Sequence, residues 1–274
     1  MKYYRPESIE ALRDLVDGLK ESDFTILAGG TDLMPRFESG QDLPDHLIDI
    51  KNLSELNQIR ITEASVHLGA LSTIQNIHDH ELITSEFLAL HQASHDFAGA
   101  QIRHRGTLGG NICNASPAGD LLPALYAFEA QVTLLSSSGS RELAIQDFIL
   151  GPGRTALEQG EILAEVVLPR KGYHSHFEKV GLRQSMAISV VNAAFVYQKK
   201  ENAYTQLKIA AGSVAPTIVT LDKFVLAYLK TPQDLLTDLI LIDEDIRPID
   251  DIRATASYRS RVLKNLVQYY LQDD

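Results

Sequence analysis

Two glycine-rich stretches constrain the fold of this 274-residue chain more than anything else in it. LAGGTDL (27–33) follows a short apolar run, and GTLGGNICNASPAGD (106–120) comes about 80 residues later. A Gly-Gly pair after a strand permits positive φ and lets another group approach the backbone closely. Successive N–H groups in such a turn form a concavity suited to phosphate oxygens. Thr31 adds a hydroxyl donor. Asp32 would repel an anion and is read as a cap for the next turn. By itself Gly29-Gly30 also fits an ordinary strand-to-helix turn. The second stretch is more demanding: Gly106, Gly109 and Gly110 are followed by Asn111, Asn114, Ser116 and Asp120. Thr107 and Asn111 can bond phosphate or ribose oxygens. Asp120, at the head of a helix, can accept from a ribose hydroxyl or serve as an N-cap. Two such turns together suggest one long diphosphate ligand. Neither is GxGxxG and no GKS or GKT is present, so a Rossmann site and a triphosphate P-loop are not supported.

Composition narrows the class. Hydrophobic content of 45% and charged content of 22% fit a globular chain with a substantial core. No apolar run approaches the ~18 residues of a membrane span, and the N-terminus is amphipathic and acidic without a signal-like apolar region. The chain is therefore expected in the cytoplasm. The formal charge of −11 argues against nucleic acid. It also means that any bound anion must be held by local backbone donors. With Cys113 as its one cysteine, the chain makes no intrachain disulfide, iron–sulfur cluster or structural zinc site. His91 and His95 have the i, i+4 spacing of a helical metal pair, but no HExxH surrounds them, and they read as a solvated helix face.

Strands are expected at FTILAG, LIDIK, QVTLLSS, SRELAI and EILAEVVLP, with a hairpin from IRIT to VHLGA. Helices are expected from Ser8, over STIQNIHDHEL and SEFLALHQASHDFAGAQI, and from Asp120 to Phe128 with Pro123 in the first turn. Pro169–Gly172 is the expected domain boundary. Beyond it come strands at HFEKVG, SVVNAAFVYQ and QLKIAAGSV, then two or three helices. Strands and helices mix without strict alternation, which gives an α+β class.

AGGTDL, together with IRHRGTLGGNICNASPAGDLLPAL, closely resembles the FAD-binding medium subunit of the molybdenum hydroxylases, the family of xanthine dehydrogenase and carbon monoxide dehydrogenase flavoproteins. The likeness continues through FILGPGRTALEQGEILAEVVLP and FEKVGLRQSMAISVVNAAF to DIRATASYRSRVL, nearly the whole chain. It implies a two-lobed FAD module over 1–170, with lobes at about 1–55 and 56–170, then a smaller α+β domain over 171–274. It implies that Leu27, Ala28, Gly29, Gly30, Thr31, Asp32 and Leu33 form one FAD loop, and Thr107, Gly109, Gly110 and Asn111 the other. Asp120 matches an acid at the cofactor's sugar region, Ile162 or Leu163 an apolar flavin contact, and Lys179 a lysine at the pyrimidine edge of the flavin. A cation there would stabilise the reduced ring and raise its potential; without the resemblance Lys179 reads as an exposed strand lysine. Arg183 and Gln184 lie in a turn that could face the ring. Tyr258 and Arg259 match a family signature and read as packing residues.

The iron–sulfur cysteines and the molybdopterin region are not in this chain. The resemblance therefore implies one subunit of a split enzyme, with [2Fe–2S] clusters on a small partner and molybdopterin on a large one. The expected activity is hydroxylation of a purine or other N-heterocycle on the large partner, with electrons leaving through FAD to NAD⁺ or another acceptor. Extra cysteines of the benzoyl-CoA-reducing branch are absent. Two other classes stay open on the residues alone. One is a stand-alone flavin oxidase, with Cys113 or His104 as a covalent flavin link. The other is a non-enzymatic nucleotide-binding protein in which the turns are structural.

Overall fold

The computed structural model describes residues 1–41, 43–184, 186–201 and 203–272. The chain opens with strand β1 (Lys2–Tyr4), helix α1 (Ile9–Gly18), β2 (Phe24–Leu27), α2 (Leu33–Glu38) and β3 (His46–Asp49). The three strands form a parallel sheet in the order β1-β3-β2. Helix α1 starts where Ser8 Oγ accepts from Ala11 N–H at 3.1 Å, a side-chain N-cap. It turns Leu12 and Val16 inward, onto Ile48 of the central strand. β2 ends in the first glycine stretch, at the C-terminal edge of the parallel sheet.

Next come the hairpin β4 (Ile59–Ile61) and β5 (Ser65–Gly69), then six helices: α3 (Ile74–Asp79), α4 (Glu81–Glu86), α5 (Leu88–Asp96), α6 (Ala100–Arg103), α7 (Leu108–Asn114) and α8 (Leu121–Ala127). β6 (Gln131–Ser136), β7 (Gly139–Ala144), α9 (Ile145–Phe148), the short pair β8 (Ile149–Gly151) and β9 (Arg154–Thr155), and β10 (Ile162–Pro169) follow. β4, β5, β10, β6 and β7 make an antiparallel sheet in that order. The helix expected over 72–82 is broken at His80, whose extended backbone ends α3 and whose Nδ1 accepts from Leu82 N–H to begin α4. The next expected helix is broken at Ala98, which sits at φ +42° between α5 and α6.

The second glycine stretch, expected as a turn, contains helix α7. Thr107 Oγ1 accepts from Gly110 N–H at 3.2 Å and caps it. Gly109 lets its first turn lie on Ala70, where a Cβ would stand 2.8 Å from the Ala70 methyl.

The third sheet is antiparallel, β11 (His174–Gly181), β12 (Ser189–Lys200), β13 (Ala203–Gly212) and β14 (Val219–Thr220) in sequence order. Helices α10 (Asp222–Lys230), α11 (Leu235–Asp238), α12 (Ile242–Asp245) and α13 (Ala256–Gln272) cover one of its faces. The other face lies on α5 and α8. Residues 189–196 of β12 are therefore buried on both sides, which explains an apolar run where a half-exposed strand would alternate. Val191, Ala193 and Phe195 join the core under α10–α13; Ala194 and Val196 join the core around α8. That second core also takes Phe177, Ala210 and Ile218, so the helical layer and the third sheet share one interior. The molecule is α+β, as its mixed element order implies.

Carboxylates in ion pairs contribute to its acid stability. The Arg170 guanidinium, bonded to Glu86 at 2.5 and 2.8 Å, holds that carboxyl below its ordinary value; Arg141 does the same to Glu161. A depressed folded-state pKa gives stability that is complete above the unfolded value of about 4.5 and is lost as pH falls through the folded one. Urea melts should therefore weaken below about pH 4.5, and Glu86→Gln should flatten a small part of that slope, as for a solvent-screened surface pair.

Candidate cofactor cleft

The two glycine stretches meet. A Cβ on Gly29 would overlap the carbonyl oxygen of Arg105, and one on Gly106 would stand 3.5 Å from Thr31 Oγ1. Gly29 is thus required for one loop to lie against the other. Gly30 adopts φ +74°, and its carbonyl accepts from Met34 N–H to open α2. Around this junction is a cleft of about 610 Å³, within the range of small-molecule and cofactor sites.

Ala28, Gly29, Gly30, Thr31, Asp32 and Leu33 line one wall; Thr107, Gly110, Asn111, Cys113, Asn114 and Asp120 line the other. Phe97, Ala98, Ile102, Met186, Ala187 and Ile188 close it from the side. A second cleft of about 710 Å³, lined by Arg103, Lys179 and Arg183 among others, shares Ala98, Met186 and Ala187 with the first.

The walls differ in what they offer. The amides of Gly29, Gly30, Thr31 and Asp32 donate to no acceptor among the described residues, so the first loop presents consecutive free N–H groups. The second loop has spent its amides. Leu108 N–H goes to Ser72 O, Gly109 N–H to Ala70 O and Gly110 N–H to Thr107 Oγ1. What it offers is an open backbone face at Gly110, where a Cβ would meet only Thr107 Oγ1, at 3.0 Å. It also offers Asn111 Oδ1, which is buried and unpartnered among the described residues. Such an orphan acceptor asks for a donor from a bound molecule.

Asp32 does not cap α2: it has helical backbone and makes no capping bond, and its carboxylate pairs with Arg36 at 3.4 Å on the exposed rim. Asp120 likewise makes no cap for α8. It is 7% exposed and accepts from Lys179 Nζ (2.7 Å) on Oδ2, and from Ser189 Oγ (2.7 Å) and Asn192 Nδ2 (3.3 Å) on Oδ1. Burial pushes its carboxyl up, against the pull of the Lys179 ammonium and the two neutral donors. Lys179 is no exposed strand lysine. Its side chain is 7% exposed, and Nζ also donates to Asp96 O at 2.9 Å. Together these contacts carry the ammonium between the two clefts.

Four of the expected contacts line neither cleft, and Lys179 lines only the second. Leu27 is buried at the end of β2, and Gly109 is packed on Ala70. Ile162 and Leu163 are 4% and 6% exposed at the start of β10, where they point into two different cores. Cys113 lines the cleft, but burial pushes its thiol up to about 12, so it is protonated at neutral pH and a poor nucleophile. His104 is exposed and bonds Ala100 O through Nδ1. His95 is exposed, whereas His91 stacks on His78 with ring centroids 4.5 Å apart. The residues missed from sequence are Ser189, Asn192 and the 186–188 wall. A lone Asn inside VVNAAFV was the available signal for one of them.

Residues 1–171 match the family profile described as the FAD binding domain in molybdopterin dehydrogenase. Residues 176–273 match the CO dehydrogenase flavoprotein C-terminal domain. The chain is 40% identical over 195 residues to the nicotinate dehydrogenase FAD-subunit of Eubacterium barkeri, a match spanning 69% of this chain and 66% of that protein's own length. It is 31% identical over 269 residues to the glyceraldehyde dehydrogenase medium chain of Sulfolobus acidocaldarius, covering 96% and 94% of the two. The solved carbon monoxide dehydrogenase from Hydrogenophaga pseudoflava, in a form lacking the Mo-pyranopterin moiety of its molybdenum cofactor, contains a chain that superposes with a TM-score of 0.90. That pair is 28% identical and covers 98% of this chain and 95% of that one. With a family profile over more than half its length and a fold shared end to end, the chain belongs to the molybdopterin dehydrogenase family as its FAD-binding oxidoreductase subunit.

Proposed function

We propose that this chain is the electron-delivery subunit of a cytoplasmic molybdenum hydroxylase. Electrons enter from [2Fe–2S] clusters on a small partner and leave to NAD⁺ or another acceptor, and substrate is oxidised on a molybdopterin-bearing large partner. Bound FAD supplies the step between one-electron arrival and two-electron departure; the chain's residues bind and orient it. On this reading residues 1–170 form the FAD module and 171–274 the smaller domain. The observation that carries it is the pairing of four free amides at 29–32 with the bare backbone of Gly110 and the orphan Asn111 Oδ1 across one cleft.

The free amides receive the diphosphate in a chain whose overall field would repel it. From the other wall the Thr107 hydroxyl can donate to the same group, while Asn111 Oδ1 accepts from a cofactor hydroxyl. Asp120 accepts from cofactor hydroxyls while Lys179 neutralises it. The adjoining cleft, with Arg103, Lys179 and Arg183, is where an anionic acceptor such as a dinucleotide would approach. An N-heterocycle such as a purine is the proposed substrate, in keeping with the nicotinate-named relative. The names of the relatives nonetheless differ widely in substrate, which fits a substrate pocket on another chain.

The purified chain should be yellow and release about one FAD per chain into acid. A colourless chain that takes up no added FAD would sink the reading. Flavin that stays on the denatured polypeptide would favour the covalent oxidase instead.

Two substitutions separate the glycines' roles. Gly110→Val crowds the Thr107 cap at 3.0 Å and covers the open face, and should weaken FAD binding at least about tenfold with a smaller loss of stability than Gly29→Ala. Gly29→Ala drives a methyl into the Arg105 carbonyl and should cost stability, about 2 kcal/mol or more, with or without FAD. Calorimetry and FAD titration of both variants test the assignment.

A further inference from the structure

Asp120 takes its neutral partners from the C-terminal half of the chain. Ser189 and Asn192 are both 0% exposed, in a strand whose other residues from 190 to 196 are apolar. Burying a hydroxyl and an amide in such a layer is unfavourable unless each is bonded. Here both side chains converge on Asp120 Oδ1, and Asn192 Nδ2 also bonds Ser189 Oγ at 3.2 Å. The neighbouring chain is shaped around them. Gly212 lies where any Cβ would overlap Asn192 Oδ1. Ser213, at φ +64°, donates from Oγ to Ser189 O at 3.0 Å and from N–H to Pro117 O at 2.8 Å.

Behind this turn stands Arg259 of α13, 2% exposed. Its guanidinium donates to Val190 O at 2.5 Å, to Ser213 O at 3.2 Å and to Asp251 Oδ1 at 2.7 Å. A cation buried among backbone carbonyls fixes where residues 189 and 190 begin the strand.

We propose that Ser189 and Asn192, braced by Arg259, are positioning residues that keep Asp120 ionised and aimed at the cleft, and so set the pH range over which the chain holds FAD. The proposal rests on the FAD reading above. Hydrogen bonds to a carboxylate favour its charged form, and removing them raises the pH at which it takes a proton. A protonated Asp120 would lose an acceptor for cofactor hydroxyls and would release the Lys179 ammonium from its partner. Among the described residues Lys179 is the charged group bonded to Asp120. Asp32 and Arg36 line the same cleft, and Asp96 and His95 stand behind Lys179. None of these is touched by the substitutions below.

The test uses the full-length chain stripped of flavin and titrated with FAD, following flavin fluorescence from about pH 5 to about pH 9. Wild type, Ser189→Ala, Ser189→Thr and Asn192→Leu are compared, with thermal melts to establish folding. Ser189→Ala and Asn192→Leu should move the acid limb of FAD binding upward by about one pH unit. At a pH on that limb this is about a tenfold weaker dissociation constant. Ser189→Thr, which keeps the hydroxyl, should restore the wild-type limb. A wild-type limb in Ser189→Ala overturns the proposal, and so does weakening by the same factor at every pH. If Asn192→Leu does not fold, Ser189→Ala decides alone. A wild-type chain that binds no FAD removes the cofactor reading itself, an outcome distinct from variants that bind FAD with an unmoved limb.

Discussion

The cleft exists because two backbones can touch. Gly29 lies against the Arg105 carbonyl with no room for a side-chain atom between them. That contact joins the C-terminal edge of a parallel sheet to the run of helices on the antiparallel sheet. From it follows the division of labour between the walls. The first loop, turned away from its own sheet by Gly30, keeps its amides free. The second uses its amides to tie α7 to Ala70 and Ser72 and leaves only Gly110 bare. Gly29, Gly109 and Gly110 therefore do three different things: the first admits a neighbouring loop, the second lets α7 lie on Ala70 just past β5, and the third leaves a face open.

Much of the frame was legible in the sequence. Ser8 starts a helix with its apolar residues inward, and strands lie at 131–136, 139–144 and 162–169, close to where the sequence pattern put them. α7 was not legible. Two glycines argue against a helix by propensity, and only the Thr107 cap and the packing on Ala70 override them. Local rules also misjudged the acids. Asp32 and Asp120 each precede a helix, where capping is the ordinary role, yet neither caps. The partners of Asp120 lie 59, 69 and 72 residues away. No spacing rule reaches that far; only the register of β11 against β12 brings Lys179 level with Asn192. Ile162 and Leu163 lie off the cleft lining, buried at the start of β10 in two different cores.

Electrostatics adds a constraint that composition hides. A chain carrying −11 has to offer an anion a local surface unlike its average. Here that surface is uncharged: backbone N–H groups on one side and an ion pair of zero net charge, Lys179 with Asp120, on the other. A buried pair of this kind contributes little net stability, because desolvating both ions offsets their attraction. Its value is in fixed orientation, with the ammonium held by Asp96 O as well as by the carboxylate.

The buried course of β12 also bears on the order of events in making the protein. Residues 186–188 form part of the cleft wall, and residues 189 and 192 hold an acid on the opposite one. Arg259, near the end of the chain, fixes the start of that strand. A ribosome that has released only the first 171 residues has delivered both glycine loops but not the enclosure around them. The full enclosure needs residues 186–192 and Arg259 in place as well as the two loops. A ligand that uses every wall is held by both halves of the sequence at once.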